Sequence, residues 1–358
     1  MPRVHAPRLV NVRAGCSQAP FPSAAMSLSS ALVNGALVSN PFDFLAPLVE
    51  LETTISELEN RSAHSQLDVS REVQSLRDKL SQETRRLFAT LTPWQRVQLS
   101  RHPQRPQTTD YIDHMVEDFV PLAGDRAFGD DEAIICGLGT VGGHRCMVIG
   151  QQKGKDVHER RRCNFGMPHP EGYRKAMSKM RLAEKFGLSV ICLVNTPGAF
   201  PGVDAEERGQ SIAIAENIRD MAMLRTPIVV AVIGEGGSGG ALGIGIGDRM
   251  LMLENSYFSV ISPEGCAAIL WKDGNKKDLA AERLSLTAGP LKNFGIVDEI
   301  IEEPAGGAHR QPIVTAHLMR DAITRQLTEL KKLSTDALLD GRYRKYRAIG
   351  QVVEGVAV

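Results

Sequence analysis

The chain has 358 residues, 42% of them apolar and 23% charged, and its formal net charge is zero. That is the make-up of an ordinary globular protein of one large domain or two, with no general attraction to nucleic acid or an anionic membrane. No apolar run reaches the roughly 18–20 residues of a membrane span, and the six cysteines show no C-x-x-C spacing, so they read as reduced thiols rather than a disulfide frame or a zinc set.

Residues 1–42 hold no Asp, Glu or Lys but carry Arg3, Arg8 and Arg13 among Ser, Ala and Pro. They read as a disordered extension or a targeting segment, and stand outside the fold. From Phe44 to Leu91 the apolar spacing turns helical: Leu48, Leu51, Ile55 and Leu58, then Val69, Val73, Leu76, Leu80 and Leu87. The break at Arg61–Gln66 predicts an antiparallel helical hairpin. Thr92–Pro106 reads as irregular and basic, and a short helix follows near Tyr111–Phe119. Ala133–Val141 and His144–Gly150 flank Gly142-Gly143, a hairpin signal. Gln151–Arg162 is a polar, basic loop holding Lys153, Lys155, Arg160, Arg161 and Arg162. It is either solvated surface or a contact for phosphate or carboxylate.

Strands and helices then alternate, as in an α/β protein. Helices are expected over Pro170–Phe186 and Ala205–Leu224, and strands over Leu188–Val194 and Pro227–Ile233. Short strands over Arg249–Leu253 and Tyr257–Ile261 lead to a helix capped by Ser262 with Pro263 at its first position. Glu282–Asn293 and Pro312–Leu333 read as helices, Ile296–Ile301 as a strand, and the chain from Ser334 onward as polar and loosely ordered.

Pro227–Gly247 is the stretch with chemistry in it. A β-branched apolar run ends at Gly234, and Gly236, Gly237, Gly239, Gly240, Gly243, Gly245 and Gly247 follow. So many glycines cost backbone entropy, and suit a turn whose N–H groups must approach an anion. Gly234–Gly239 matches G-x-G-x-x-G, with Glu254 at the distance of a ribose acid, but the next strand comes too soon for a crossover helix. Gly236–Gly240 also matches the G-x-S-x-G elbow around Ser238, yet only His309 and His317 follow it, neither in a distinctive context. The third reading is a backbone oxyanion hole without a nucleophile. A turn made only for packing is the plain alternative.

Several long segments together resemble the α subunit of the bacterial acetyl-CoA carboxylase carboxyltransferase. They are SRHPQRP (Ser100–Pro106), QKGKD (Gln152–Asp156), NFGMPHPEGYRKA (Asn164–Ala176), NTPGAFPGVDAEERGQS (Asn195–Ser211), IGEGGSGGALGIGIGD (Ile233–Asp248) and YFSVISPEGCA (Tyr257–Ala267). Asn195, Phe200 and Asp204 depart from the usual Asp, Tyr and Gly.

The resemblance implies a crotonase-like α/β fold, a spiral of ββα units, with the helical hairpin as an N-terminal extension. It implies carboxyl transfer from carboxybiotin on a biotin carboxyl carrier protein to acetyl-CoA, giving malonyl-CoA for fatty acid biosynthesis. A zinc-ribbon β subunit would complete a heterotetramer of two α and two β chains, with ATP used only by a separate biotin carboxylase and no metal in this chain. The N–H groups of Gly239 and Gly240 are the expected oxyanion hole, with Gly236 and Gly237 shaping the turn. Gly198, Gly202, Lys153, Arg161 and Arg162 are candidate contacts for substrate or biotin. Glu235, Glu206 and Glu207 are nearby acids expected to form structural ion pairs. The domains expected are the extension 1–42, a helical segment 43–106, the catalytic domain 107–345 and a polar tail 346–358. The location expected is the cytoplasm, or a plastid or other organelle if 1–42 is a transit peptide. The rival readings are another CoA enzyme of the same fold and a catalytically empty scaffold subunit.

Overall fold

The structure, a computed structural model, describes residues 40–64 and 68–350, and the backbone of a two-residue strand pair, β1 (Leu32–Val33) with β2 (Ala36–Leu37). Most of the expected 1–42 extension, and residues 351–358 of the expected tail, lie outside the described residues.

The core is an eight-stranded mixed sheet. Three strands at one edge are antiparallel: β3 (Glu117–Pro121), β4 (Ile134–Val141) and β5 (His144–Gln151). From β5 the sheet runs parallel through β6 (Ser189–Thr196), β7 (Ile228–Gly237), β8 (Arg249–Leu253) and β10 (Glu299–Ile301), with β9 (Tyr257–Ser259) also parallel to β7. Parallel strands need both faces covered. All ten residues of β7 are buried, and its side chains alternate between two cores. Ile228, Val230 and Val232 meet Tyr173, Met177 and Met180 of α6 (Pro170–Lys185) and Met221 of α8 (Gln210–Met223). Val229, Ala231 and Ile233 join the face of α4 (Thr108–Met115) and α13 (Pro312–Leu330), where Ile112, Met319 and Ile323 are buried.

The helical hairpin is present as α1 (Ala46–His64) and α2 (Ser70–Ala89). Leu48 packs with Leu91 and Leu99 at its base, and Glu52 on α1 pairs with Arg310. Thr92–Pro106 is not wholly irregular. Thr92 and Gln95 form a capping box that starts α3 (Pro93–Ser100), with Pro93 in the first turn. The basic stretch likewise holds α5 (Val157–Arg162), begun by Asp156 accepting from the N–H groups of His158 and Glu159.

The expected helix 205–224 is two, α7 (Val203–Glu207) and α8, parted at Gly209 in the left-handed region (φ 83°). The expected helix 282–293 is likewise two, α11 (Lys277–Arg283) and α12 (Ala288–Asn293), separated where Thr287 bridges to Tyr257. Strand β7 runs through Gly234 to Gly237, because β9 pairs with Glu235–Gly237. The segment after Ser334 is α14 (Thr335–Arg347), not loose chain. Ser262 caps α10 (Pro263–Trp271) as expected. No helix among the described residues is long and apolar enough to cross a membrane.

Candidate active site

Strand β7 changes partner along its length. Val229–Val232 pair with β8, whereas Glu235–Gly237 pair with β9. On its other side the register with β6 slips around Asn195, between Val194↔Val232 and Thr196↔Gly236. The end of β7 therefore stands where the sheet splits. It turns at Ser238 (φ 52°) straight into a one-turn helix, α9 (Ser238–Leu242).

The glycines there serve different contacts. A Cβ on Gly236 would fall under 3.0 Å from Phe258, and one on Gly237 from the carbonyl of Pro197. One on Gly240 would strike the backbone of Gly198 and Ala199 as closely. The 197–199 loop after β6 thus lies backbone against backbone on the turn. Gly239 differs: it is half-buried, and its nearest atoms in that direction are those of Ile214 at 3.9 Å. The N–H groups of Gly239 and Gly240 belong to the first turn of α9, where a helix supplies no carbonyl partner and carries partial positive charge. Gly202 begins α7, packed against Phe200 and Asp204.

Immediately before the turn, Glu235 is buried at the centre of a charge network. It accepts from Arg101 Nε at 2.6 Å and the Tyr257 hydroxyl at 2.9 Å, and pairs with the Lys153 ammonium. Arg101 also reaches Glu264 at 2.5 Å. Burial alone would raise the Glu235 carboxyl, but the Lys153 and Arg101 charges prevail and hold it at about 2. This geometry gives Glu235 an ion-pair role, and places the Lys153 ammonium on Glu235.

The basic residues of α5 lie elsewhere. Arg161 is exposed, and Arg162 pairs with Glu132 at 3.4 Å. Arg162 lines a cavity of about 330 Å³ with Asp131, His169, Glu171 and Arg208, none of them from the turn. His169 stacks on Phe200 at 4.1 Å and lies 3.6 Å from Asp204, so Phe200 is used through its ring. Glu206 and Glu207 are exposed on α7.

The elbow-like geometry at Ser238 has no hydrolase partner. His309 is stacked on His102 at 4.0 Å, and His317 is exposed on α13. Among the described residues no histidine is hydrogen-bonded to Ser238. Cys136, Cys146, Cys163, Cys192 and Cys266 are free and buried. Burial pushes the Cys136, Cys146 and Cys163 thiols up to about 12, far from nucleophilic thiolate. Arg101 and Tyr257, though inside the quoted motifs, were not singled out by sequence reasoning, because their roles depend on contacts with distant residues.

Solved structures show the fold. The chain matches transcarboxylase 12S, solved with hydrolysed methylmalonyl-coenzyme A, at a TM-score of 0.52 and 17% identity, over 65% of this chain and 44% of that one. It matches a Pseudomonas malonate decarboxylase hetero-tetramer in complex with coenzyme A at 0.51 and 15%, over 62% and 89%. The fold is that of the crotonase-like carboxyltransferases.

The sequence narrows this further. Residues 41–350 match the family described as acetyl co-enzyme A carboxylase carboxyltransferase-like. The chain is 53% identical over 311 residues to the acetyl-coenzyme A carboxylase carboxyl transferase subunit alpha of Stenotrophomonas maltophilia (strain K279a), covering 87% of this chain and 98% of that one. It is 54% identical over 312 residues to the subunit of the same name from Burkholderia vietnamiensis (strain G4 / LMG 22486), covering 87% and 97%. The chain belongs to this family of acetyl-CoA carboxylase carboxyltransferase α subunits.

Proposed function

We propose that this chain receives carboxylated biotin, borne on a separate biotin carboxyl carrier protein, at the glycine turn, and that a zinc-ribbon β subunit supplies most of the CoA site. Two α and two β chains would form the working heterotetramer in the cytoplasm, with malonyl-CoA as product and ATP consumed only by a distinct biotin carboxylase. The chain would divide into a helical segment over 43–106, a catalytic domain over 107–345 and a polar tail over 346–358. The 1–42 segment would be an extension or a targeting sequence.

One observation carries this reading: Gly239 and Gly240 offer first-turn N–H groups, and Gly239 is half-buried with no side chain to keep a ligand away. A small planar group that gains negative charge fits there, since backbone donors fixed in advance need no reorganisation as charge develops. Carboxybiotin supplies the carboxyl group and a ureido oxygen able to take up that charge. The two N–H groups donate to that oxygen. Gly236 and Gly237 allow the strand to lie against β9 and the 197–199 loop. Gly198 and Gly202 shape the facing wall. Lys153 acts through Glu235 beneath the turn, while Arg161 and Arg162, set apart on α5, would meet an anionic part of substrate, carrier or partner. No side-chain base is required of this chain, because the charged ureido group is itself basic.

The test is the chain alone against the chain copurified with its β subunit. The expected result is acetyl-CoA carboxylation from carboxybiotin by the complex and none by the isolated chain. Turnover by the chain alone would favour another crotonase-fold CoA enzyme. A complex indifferent to every change in the turn would favour a scaffold subunit.

A further inference from the structure

The helix that carries the proposed donors is too short to hold its own orientation. Helix α9 has five residues, and at its end Gly243 N–H donates to Gly239 C=O at 2.9 Å, as in an α-helix. The next N–H, of Ile244, reaches Ala241 rather than Gly240. The Gly240 carbonyl is therefore one of the orphan acceptors of a helix C-terminus.

Two side chains from distant elements occupy it. Gln151, the last residue of β5, donates from Nε2 at 2.8 Å, and Tyr173 on α6 donates from its hydroxyl at 3.2 Å. Both are fully buried. Gln151 is itself fixed, because its Oε1 accepts from Asn195 N–H at 3.0 Å where the register slips. Asn195 in turn accepts from Glu235 N–H at 3.2 Å. The Tyr173 ring lies against Gly243, and Asn217 donates to the carbonyls of both Tyr173 and Gly243 at 2.9 Å.

We propose that Gln151 and Tyr173 are positioning residues of the carboxyl transfer: by gripping the Gly240 carbonyl from β5 and α6, they set the tilt of α9 and aim the N–H groups of Gly239 and Gly240. The inference rests on the proposed role of the turn. Neither side chain touches substrate. A neutral hydrogen bond of this kind controls direction more than stability. Slack in the grip therefore misaims donors whose worth depends on where the transition-state oxygen sits.

The experiment uses the copurified complex of this chain with its β subunit. Tyr173→Phe removes one donor and keeps the ring packing. Gln151→Glu keeps the acceptor for Asn195 and offers Gly240 a donor only while its carboxyl is protonated. Tyr173→Phe should lower kcat roughly five- to tenfold, the equivalent of one hydrogen bond, with KM and Tm little changed. Gln151→Glu should lose kcat progressively as pH rises, relative to the unaltered complex, beginning at pH values where its Tm still matches the parent's, whereas a packing role would make kcat and Tm fall together. Gly239→Val separates the two levels of the argument. If Gly239→Val keeps its kcat, the reading of the turn itself is overturned. If it loses kcat while Tyr173→Phe and Gln151→Glu keep theirs at every pH, only the grip is overturned. Loss of kcat, KM and Tm together in Tyr173→Phe would likewise reduce these residues to packing.

Discussion

Gly239 and Gly240 are neighbours, yet a side chain at each does different things. At 239 there is room within the chain, so Gly239→Val should leave assembly and Tm near the parent while kcat falls roughly 100- to 1000-fold, as for one lost oxyanion donor. At 240 the added carbon meets the backbone of the 198–199 loop, so Gly240→Val should lose thermal stability as well. Kinetics and thermal melts on the same preparations check both outcomes, and equal melting losses would refute the distinction. Ser238 sits at φ 52°, which costs a non-glycine residue about 1–2 kcal/mol. Ser238→Ala should be nearly silent in kcat, while Ser238→Gly raises Tm. A glycine-rich turn after a buried strand was legible from residue order alone. Which glycine admits a loop and which leaves a ligand room was not, because that depends on Pro197–Ala199, some forty residues earlier.

Among the elements, α3 joins the helical hairpin to the sheet, and a pair of histidines fastens the junction. His102, just past α3, stacks on His309 at 4.0 Å and meets Phe42 edge-on at 4.7 Å. Burial, with Arg105 and Arg310 nearby, lowers His102 from 6.5 to about 4. Burial, His102 and the same arginines lower His309 to about 3, and its Nδ1 is buried without a partner. Both rings are thus neutral in the folded protein at pH 7. Below pH 6.5 the unfolded chain binds more protons than the folded one, so this junction loses stability as pH falls from about 6.5 toward 4. The double variant His102→Phe, His309→Phe keeps the stacking and should show a flatter fall in Tm between pH 7 and pH 4 than the parent. Identical slopes would remove the pair from the pH response. The hairpin itself was legible from its three- and four-residue spacing. Helix α3 was written in Thr92-Pro93-Trp94-Gln95 and was masked by the prolines that follow. The histidine contact joins positions 207 apart and leaves no local trace.

Across the whole molecule, α14 closes the structure with one buried charge. Arg342, 1% exposed, donates to both oxygens of Asp248 at 2.8 Å. It also donates to the carbonyls of Met221, Leu224 and Thr226 at 2.8–2.9 Å. Asp248 in turn accepts from Ile228 N–H at 2.7 Å, at the start of β7. Arg342→Ala would leave a buried carboxylate and three buried carbonyls without their partner. The expected loss is roughly 3–5 kcal/mol, with little soluble protein recovered. Arg342→Ala with a Tm within a few degrees of the parent would contradict this. The polar composition after Ser334 concealed the helix, because an arginine aimed inward looks like one on the surface until its acceptors are known.

The Arg342 clasp also bears on the order in which the protein is made. Every strand of the sheet leaves the ribosome before residue 342 does. During synthesis the Asp248 carboxylate and the end of α8 wait without their cation, and the strand that leads to the glycine turn begins beside that waiting charge. Nascent chains can assemble the sheet as they emerge, but they cannot seal this corner until α14 follows. Until α14 is made, this corner of the unfinished chain therefore stays open to chaperones and proteases.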